Sequence, residues 1–343
     1  MALLGMGCSY SQQNYQSLDV QGFSDCLNRG GVTLLDVRSA EEYAEGHIYG
    51  AVNIDVRNNV FMDEAKTRLD KSKTIAVYCR SGRRSAHAAD LLSAEGYQVV
   101  NLKGGIEAWK ESKGVVSKDV VEIDVFKTGD GETIEIYALM HACIRIVYKG
   151  KEIEIDPVRR LGNRIVDYTS LPNADFVFVT HEHKDHFDQD AISDLRTENT
   201  RLITNQRCGD LLGYGEIMKN GDKMVLSGDI QVEAVPAYNI TEGHLQFHPK
   251  GRDNGFIITL GDIRIYIAGD TEDIPEMAGI KDIDIAFLPC NQPYTMTTDQ
   301  LSKAARTIKP KVLFPYHYGN TDVSGVPEEL KSDGIDVRIR HYE

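Results

Sequence analysis

The sequence predicts an α/β protein made of two domains, and three observations support that fold class. The chain has 343 residues, whereas a single domain usually takes roughly 100–200. Up to about residue 112, β-branched runs alternate with helical patterns, which is typical of βαβ units around a parallel sheet. Beyond about Val121 the pattern changes to short β-rich runs, many of them divided by Gly or Asp turns. These runs, with helical segments between them, indicate two sheets flanked by helices.

The first domain is predicted to extend from residue 16 to residue 112. Its strand-like runs are residues 32–37, 73–78 and 98–102, and a helical pattern covers residues 84–95. The stretch that follows, residues 113–121, is polar and lacks strong periodicity, which predicts a linker. Residues 1–15 are predicted to be a flexible N-terminus or the remnant of a signal sequence.

The second domain is predicted to cover residues 122–343. Its strand-like runs are residues 133–137, 144–148, 152–155, 176–180, 256–260 and 263–268. A helical segment at residues 298–307 stands among the later runs. The chain contains no internal repeat and no low-complexity segment.

The composition argues against some classes of partner. The formal net charge is −14, and such an acidic surface repels the phosphate backbone of nucleic acids. No apolar run reaches the ~18–20 residues that a membrane-spanning helix needs. We therefore expect neither a nucleic-acid partner nor a transmembrane segment, and the sequence leaves the oligomeric state open.

The cysteines indicate free thiols. They stand at positions 8, 26, 79, 143, 208 and 290, and no two form a C-x-x-C pair, which argues against a disulfide framework and against a zinc knuckle. The expected location is the cytoplasm. Because residues 1–9 are similar to the end of a lipoprotein signal, the alternative is an exported lipoprotein or periplasmic protein with Cys8 at a truncated signal.

Cys79 is the candidate reactive thiol of the first domain. It directly follows a β-branched run. The residues after it lead into a predicted helix and are Arg80, Ser81, Gly82, Arg83 and Arg84. Amide N–H groups at a helix N-terminus and nearby arginines both favour a thiolate, and they would equally stabilise a persulfide or an incoming thiosulfate. Gly82 would let the loop curl around the sulfur. The alternative is a structural cysteine buried at a strand end, which three arginines within five residues make the weaker interpretation.

Three motifs of this domain resemble the rhodanese family. They are residues 34–54 with the elements LLDVR, EEY and GHIYGAVNI, the loop CRSGRRS that begins at Cys79, and residues 101–109, NLKGGIEAW. The resemblance implies a rhodanese-like parallel-sheet domain in which Cys79 carries sulfane sulfur from a donor such as thiosulfate or a persulfide. The six-residue loop has the length associated with sulfur transfer rather than with phosphatase activity. The resemblance also implies structural roles for Asp36, Arg38 and His47.

The strongest metal-binding signal is residues 181–186, HEHKDH, directly after a strand-like run. Three imidazoles and a carboxylate within six residues suit zinc, iron or manganese. With only ten histidines in the chain, a chance cluster of surface histidines is a poor alternative. Two further strand-like runs also end on residues of a type that binds metals, Asp270 and His317. The predicted metal ligands are therefore His181, His183, Asp185, His186, Asp270 and His317.

These ligands match the signature of the metallo-β-lactamase superfamily over about residues 122–343. The resemblance implies an αββα sandwich that holds two divalent ions, with zinc as the first choice and manganese or iron as alternatives. It also implies that Asp270 bridges the ions and that Asp156 is structural. The MHA sequence at residues 140–142 and parts of residues 235–251 resemble the branch that contains lactonases.

One position departs from the superfamily pattern. Many members place a histidine ligand of the first metal where this chain has Asn239. Either His248 or His244 would have to replace it, or the first metal site is weak. The possible additional site residues are His141, Asn239 and His248.

The expected chemistry is hydrolysis of a small molecule. A divalent ion in such a site lowers the pKa of water towards ~7, and Asp185 could orient that water, so an ester, lactone, amide or phosphoester is the expected substrate. Two alternatives stay open. Rhodanese and metallo-β-lactamase domains are also fused in sulfur oxidation, so an iron-dependent persulfide dioxygenase is one. A rhodanese domain that acts only as a sensor or docking module is the other.

Overall fold

A computed structural model describes residues 14–112, 114–118 and 120–342 of the chain. The chain divides into two units, Met1–Asp119 and Val120–Glu343. Cys8, the candidate lipidation residue, lies outside the described residues. Within them, every helix is too short or too polar to cross a membrane.

The first unit is built on a parallel sheet flanked by helices. Its strands are β1 (Gln16–Leu18), β2 (Val32–Asp36), β3 (Val52–Asn53), β4 (Thr74–Tyr78) and β5 (Gln98–Leu102). Its helices are α1 (Val20–Leu27), α2 (Ala40–Ala44), α3 (Phe61–Arg68), α4 (Arg83–Ala94) and α5 (Gly105–Glu111). Among the described residues the strand order is β1-β5-β4-β2-β3, and all four pairings are parallel. The predicted parallel-sheet fold is confirmed.

The central strands of this sheet are buried on both faces, which explains their continuous apolar runs. Successive side chains of a strand point to opposite faces, so β4 divides its residues between two cores. Val77 packs in one core with Leu92 of α4. Tyr78 packs in the other core with Trp109 of α5.

Residues 114–117, within the predicted linker, are attached to the first unit. Ser117 and His47 exchange two backbone hydrogen bonds, both of 2.8 Å. Trp109 Nε1 donates to the carbonyl of Val115 at 3.0 Å. A Cβ atom on Gly114 would lie 2.3 Å from Trp109 Nε1, so a larger residue there would force the ring away.

The second unit contains two large sheets. The strands of the first are β6 (Glu122–Lys127), β7 (Thr133–Met140), β8 (Cys143–Tyr148), β9 (Lys151–Ile155), β12 (Phe176–Val179), β13 (Arg201–Thr204) and β14 (Glu216–Ile217), and a small hairpin joins β10 (Arg160–Leu161) to β11 (Arg164–Ile165). The strands of the second are β15 (Lys223–Ser227), β16 (Ile230–Ala237), β17 (Asp253–Leu260), β18 (Ile263–Ile267), β19 (Ile285–Pro289), β20 (Val312–Tyr316) and β21 (Asp336–Val337). The helices are α6 (Gln189–Leu195), α7 (Gln206–Leu212), α8 (Thr298–Ile308) and α9 (Val326–Leu330).

The layers of this unit are helix, sheet, sheet and helix. One apolar core lies between the two sheets and includes Ile146, Phe178 and Phe256. A second core lies between the second sheet and α8, which contributes Leu301 and Ala305. The predicted αββα sandwich is confirmed.

Strand direction brings the loops of each sheet to one edge. In the first sheet β7, β9 and β12 run the same way, because β7 and β9 are each antiparallel to β8 and β12 is parallel to β9. In the second sheet β16, β18, β19 and β20 also share one direction. The residues that follow these strands therefore emerge together, and every predicted metal ligand stands at such a strand end or in the loop that follows it.

Candidate functional site

The segment HEHKDH follows β12 and is held in place by Asp156, which follows β9. The carboxylate of Asp156 accepts hydrogen bonds of 2.7 Å from both the backbone N–H and the hydroxyl of Thr180. It also lies 2.8 Å from Nδ1 of His186. Asp156 therefore orients the segment and leaves Nε2 of His186 free to face the site, which agrees with the structural role implied for it.

The candidate ligands form two groups of four. Within each group the possible ligand atoms all lie within 4.8 Å of one another. The first group is His181, His183, His248 and Asp270, and the second group is His141, Asp185, His186 and His317. Every predicted metal ligand is present in one of them, together with His141 and His248.

Asp270 faces both groups at once. Its Oδ2 atom lies 3.3 Å from Nε2 of His248 and 3.3 Å from Nε2 of His317, which belong to different groups. Its Oδ1 atom lies 3.3 Å from Nε2 of His186. The carboxylate is thus positioned as a bridge between two adjacent centres.

The donor set fits divalent metal ions. Nε2 of His181, His186 and His317 is buried and makes no hydrogen bond, and the same holds for Oδ1 of Asp270. Buried polar atoms are otherwise almost always hydrogen-bonded. These four atoms therefore need another partner, which a metal ion would supply. Imidazole and carboxylate together suit zinc, iron or manganese.

The pKa shifts of three ligands also suit metal binding. Burial lowers the pKa of His181 well below its usual value, and it lowers the pKa of His183 as well. Burial alone would raise the pKa of Asp270, but neighbouring His317 and His186 outweigh it and hold this pKa well below its usual value. Neutral imidazoles and an ionised carboxylate are the forms that bind a metal.

For two other ligands, His186 and His248, burial alone would lower the pKa, but facing carboxylates outweigh it. Asp270 and Asp156 raise the pKa of His186 well above its usual value. Asp253 and Asp270 raise the pKa of His248 to about 9. A bound metal would displace the protons of both rings.

His248 supplies the imidazole that the superfamily pattern placed near Asn239. The carbonyl of His248 accepts a hydrogen bond of 2.8 Å from the N–H of Asn239, so the loop folds back onto its own start. Asn239 belongs to neither group, and its Nδ2 atom donates to the carbonyl of Tyr294 at 2.7 Å. His244 also lies outside both groups and faces Glu272, with Nδ1 and Oε1 3.3 Å apart.

Backbone strain accompanies the site. His141, Asp156 and His317 all have positive φ values, of 54°, 46° and 48°. Non-glycine residues rarely adopt this conformation, and it concentrates at functional sites. The N–H of His317 donates to the carbonyl of His141 at 3.3 Å, which sets their two rings side by side.

The thiol of Cys79 lies in a cradle at the N-terminus of α4. The N–H of Gly82 lies 3.2 Å from Sγ, and the hydroxyl of Ser85 lies 3.4 Å from it. Gly82 has a φ of 92°, and a Cβ there would lie 3.1 Å from the backbone nitrogen of Gly104, so glycine is needed at this turn. Burial alone would raise the pKa of the Cys79 thiol, but hydrogen bonds from Ser85 and from the backbone of Ser81 and Gly82 outweigh it and lower the pKa.

The arginines of this loop are paired with carboxylates, which sequence reasoning did not foresee. Arg84 forms a two-pronged ion pair with Glu42, with both N–O distances at 2.6 Å. Arg80 lies 3.2 Å from Glu107, and Arg83 is exposed. The groups that lower the thiol pKa most are therefore the Ser85 hydroxyl and backbone amides rather than the arginines.

Asp36, Arg38 and His47 lie behind the loop, where their contacts are structural. Arg38 is buried and pairs with Asp36 at 2.6 Å. Nδ1 of His47 lies 3.0 Å from the carbonyl of Tyr43, and the two rings stack at 3.7 Å.

Comparison with known proteins finds a family profile that matches each unit. The profile of the beta-lactamase superfamily domain matches residues 135–317. The chain belongs to the beta-lactamase superfamily. A rhodanese-like domain profile matches residues 19–112, so both predicted family resemblances are confirmed.

Several members of this superfamily are similar to the chain. A metal-dependent hydrolase of Caldivirga maquilingensis is 29% identical over 216 residues, which are 60% of this chain and 92% of that protein. A metal-dependent hydrolase of Koribacter versatilis is 32% identical over 219 residues, 59% of this chain and 92% of that protein. A crystal structure from Parabacteroides distasonis, provisionally assigned as a metal-dependent hydrolase, is 47% identical with a TM-score of 0.63 and covers 65% of this chain and 100% of its own.

One supporting residue in each unit was not identified from the sequence. Asp253, at the start of β17, faces His248, and Glu42 pairs with Arg84. Asp253 belongs to no motif quoted above, and the EEY motif that contains Glu42 does not indicate its pairing with Arg84. Their roles come from contacts made only in the folded chain.

Proposed function

We propose that the second unit is a metal-dependent hydrolase that uses two divalent ions, with zinc as the first candidate, on an ester, a lactone or a phosphoester. The observation that carries this proposal is the pair of four-residue groups that meet at Asp270. The similar proteins from Caldivirga maquilingensis and Koribacter versatilis, both described as metal-dependent hydrolases, support it.

Each group of ligands would hold one of the two ions. His181, His183 and His248 would hold one ion, and His141, Asp185, His186 and His317 the other, with Asp270 facing both groups. Divalent ions in such a site lower the pKa of water and polarise a carbonyl or phosphoryl oxygen.

Asp185 is the carboxylate within reach of solvent. Its side chain keeps 34% exposure, against 2% for Asp270. It lies 3.4 Å from His141 and 3.5 Å from His317. We assign it the role of orienting the attacking water and accepting its proton. In hydrolysis of an ester the acyl–oxygen bond breaks, the water oxygen joins the acyl carbon, and a proton goes to the leaving alcohol.

The second group of ligands favours the hydrolase over the one-iron persulfide dioxygenase. A persulfide dioxygenase needs one iron with open positions for O₂ and substrate. A one-iron site would leave the second set of four donors, which includes His141 and His317, without a metal.

For the first unit we propose that Cys79 carries sulfane sulfur. The N–H of Gly82 and the hydroxyl of Ser85 point at Sγ and would stabilise a terminal persulfide anion as they do a thiolate. The Cys79 thiolate would attack the outer sulfur of a donor such as thiosulfate, the S–S bond of thiosulfate would break, and sulfite would leave.

Metal analysis combined with a substrate screen tests the hydrolase proposal. The full chain is loaded with zinc, manganese or iron and offered esters, lactones, phosphodiesters and glutathione persulfide. We expect two ions per chain and hydrolysis of one of the first three substrate classes, reduced at least about 100-fold in Asp270→Asn. One iron per chain together with O₂ consumption on glutathione persulfide would instead establish the dioxygenase.

A further inference from the structure

A closed loop leads from β16 to the metal ligand His248. Residues 239–248 begin and end at the hydrogen bond between the N–H of Asn239 and the carbonyl of His248, 2.8 Å long. Nε2 of His248 lies 3.3 Å from Asp270. The loop is therefore anchored at both ends beside the candidate metal ligands.

A second segment, residues 290–297, follows β19 at the same edge and is joined to this loop. The carbonyl of Tyr294 accepts the hydrogen bond from Asn239 Nδ2 at 2.7 Å. The rings of Tyr294 and Phe247 meet edge to face with their centroids 5.0 Å apart. The two segments thus form one continuous wall next to the site.

This wall exposes large apolar side chains. Ile240, Leu245 and Tyr294 have 44%, 49% and 45% of their surface accessible, and Phe247 is half-buried against Tyr294. We call Ile240, Leu245, Phe247 and Tyr294 the apolar rim. Exposed apolar groups beside a polar site are typical of ligand recognition.

The loop keeps its conformation without these side chains. Glu272 accepts hydrogen bonds of 2.7 Å from the N–H groups of Ile240 and Thr241. Arg252 donates to the carbonyl of Phe247 at 2.8 Å. These hydrogen bonds all involve the backbone of the loop. The exposed side chain of Leu245 is therefore not needed to hold the loop in place.

The wall also lacks lysine and arginine side chains. Neither residues 239–248 nor residues 290–297 contain a lysine or an arginine. The nearby Lys250 is occupied by Glu276 at 2.8 Å and by the Tyr238 hydroxyl at 3.0 Å. A phosphate group, which is favoured by arginine or lysine, finds no such partner on this wall.

We propose that the apolar rim binds the acyl or aromatic part of a neutral ester or lactone, and this inference rests on the hydrolase function proposed above. The metal ligands would face the carbonyl of such a substrate while its apolar chain lies against Leu245 and Tyr294. The substrate class is thereby narrowed from esters, lactones and phosphoesters to uncharged carboxylic esters and lactones with an apolar chain.

Chain-length dependence tests the proposal in two separate measurements on the full, zinc-loaded chain. Calorimetry measures the affinity for butyrate, hexanoate and octanoate, and kinetics measures kcat/KM for γ-lactones with side chains of rising length. Burying a methylene group contributes about 0.8 kcal/mol when complete, which is about a fourfold gain in affinity. On a half-open wall we expect about two- to fourfold per methylene in both measurements.

Two leucine variants test whether the apolar chain binds at the rim. Leu245→Ser should lower octanoate affinity roughly three- to tenfold and flatten the chain-length dependence. Leu211→Ser is the control, because Leu211 is equally exposed at 54% but lies on α7, and it should change neither. Thermal unfolding of both variants checks that they are folded.

The outcomes separate this inference from the hydrolase proposal. Lactone hydrolysis without any chain-length dependence, or a preference for phosphoesters, would overturn the apolar rim and leave the hydrolase intact. Chain-length-dependent binding with no hydrolysis of any lactone or ester would support the rim and count against the hydrolase. If Leu245→Ser dissociates an oligomer in sedimentation and leaves the chain-length dependence unchanged, the wall is a contact between copies and the inference is wrong.

Discussion

Nδ1 of His248 lies 3.1 Å from a carboxylate oxygen of Asp253, while Nε2 of the same ring lies 3.3 Å from Asp270. A hydrogen bond from Nδ1 to this carboxylate would leave the Nε2 lone pair directed at the metal site. Asp253 is itself held by Arg252, whose guanidinium donates two hydrogen bonds to it of 2.6 and 2.7 Å. A carboxylate behind a histidine ligand fixes the ring's tautomer and orientation.

Asp253→Asn should weaken metal binding at the first group of ligands. The amide keeps the size of the carboxylate but loses its charge, and such changes behind a ligand cost about 10–100-fold in metal affinity. A competitive zinc titration measures the effect. Asp229→Asn is a suitable control, because Asp229 pairs with Lys149 and Tyr148 and with no residue of either group. Unchanged zinc affinity in Asp253→Asn would show that His248 needs no such support.

His317→Ala should remove about one metal equivalent, whereas Asn239→Ala should retain both. The structure places His317 among the ligand groups and leaves Asn239 outside them. Elemental analysis after mild chelation distinguishes the two. Loss of metal from Asn239→Ala with full occupancy in His317→Ala would contradict the assignment of His248 as a ligand.

The Cys79 thiol should react with iodoacetamide at a lower pH than the other described cysteines do. Its pKa is lowered, whereas burial raises the pKa of Cys143 and of Cys290 to about 12. Ser85→Ala removes the hydroxyl that donates to Sγ, so the pH midpoint of alkylation should move upward. An unchanged midpoint would mean that the backbone amides alone set this pKa.

The same lowered pKa predicts a pH-dependent stability. A group whose pKa is lower in the folded state contributes stability that is complete above its unfolded pKa, ~8.5 for a thiol, and disappears as pH falls through the folded value. Between pH 7 and 9 the stability of the parent protein relative to Cys79→Ser should therefore rise or stay level. A decline over that range in urea unfolding experiments would contradict the direction of the shift.

Cys79→Ser should abolish sulfur transfer from thiosulfate to cyanide, because the hydroxyl cannot carry sulfane sulfur. Cys26→Ser is the control, since Cys26 is a half-buried thiol on α1 whose pKa burial raises. The colorimetric thiocyanate assay measures both. Undiminished transfer by Cys79→Ser would refute the role of this thiol.

A fragment that ends at residue 119 should be more stable than one that ends at residue 112. The longer fragment keeps the two bonds between Ser117 and His47 and the bond from Trp109 to Val115. At about 0.5–1.5 kcal/mol each, these three contacts should add roughly 1.5–4.5 kcal/mol to the free energy of unfolding. Equal urea midpoints would mean that residues 114–117 do not stabilise the unit.

The sequence by itself determined what is local in this protein. The segment HEHKDH and the loop from Cys79 to Ser85 each bring several chemical groups together within a few residues, so their chemistry can be inferred before any fold is known. The alternating runs in the first third of the chain likewise indicated its parallel sheet. Short-range patterns of this kind reflect backbone periodicity, which is the same in every fold that uses them.

Only the tertiary structure decided which distant groups meet. His248 reaches the site because residues 239–248 fold back on themselves, and Asp270 faces both ligand groups because strands of two sheets end at one edge. Arg84 is neutralised by Glu42, which stands 42 positions away in the chain. Such contacts depend on the directions of strands and the closure of loops, and those follow from how the apolar cores pack rather than from the neighbours of any one residue.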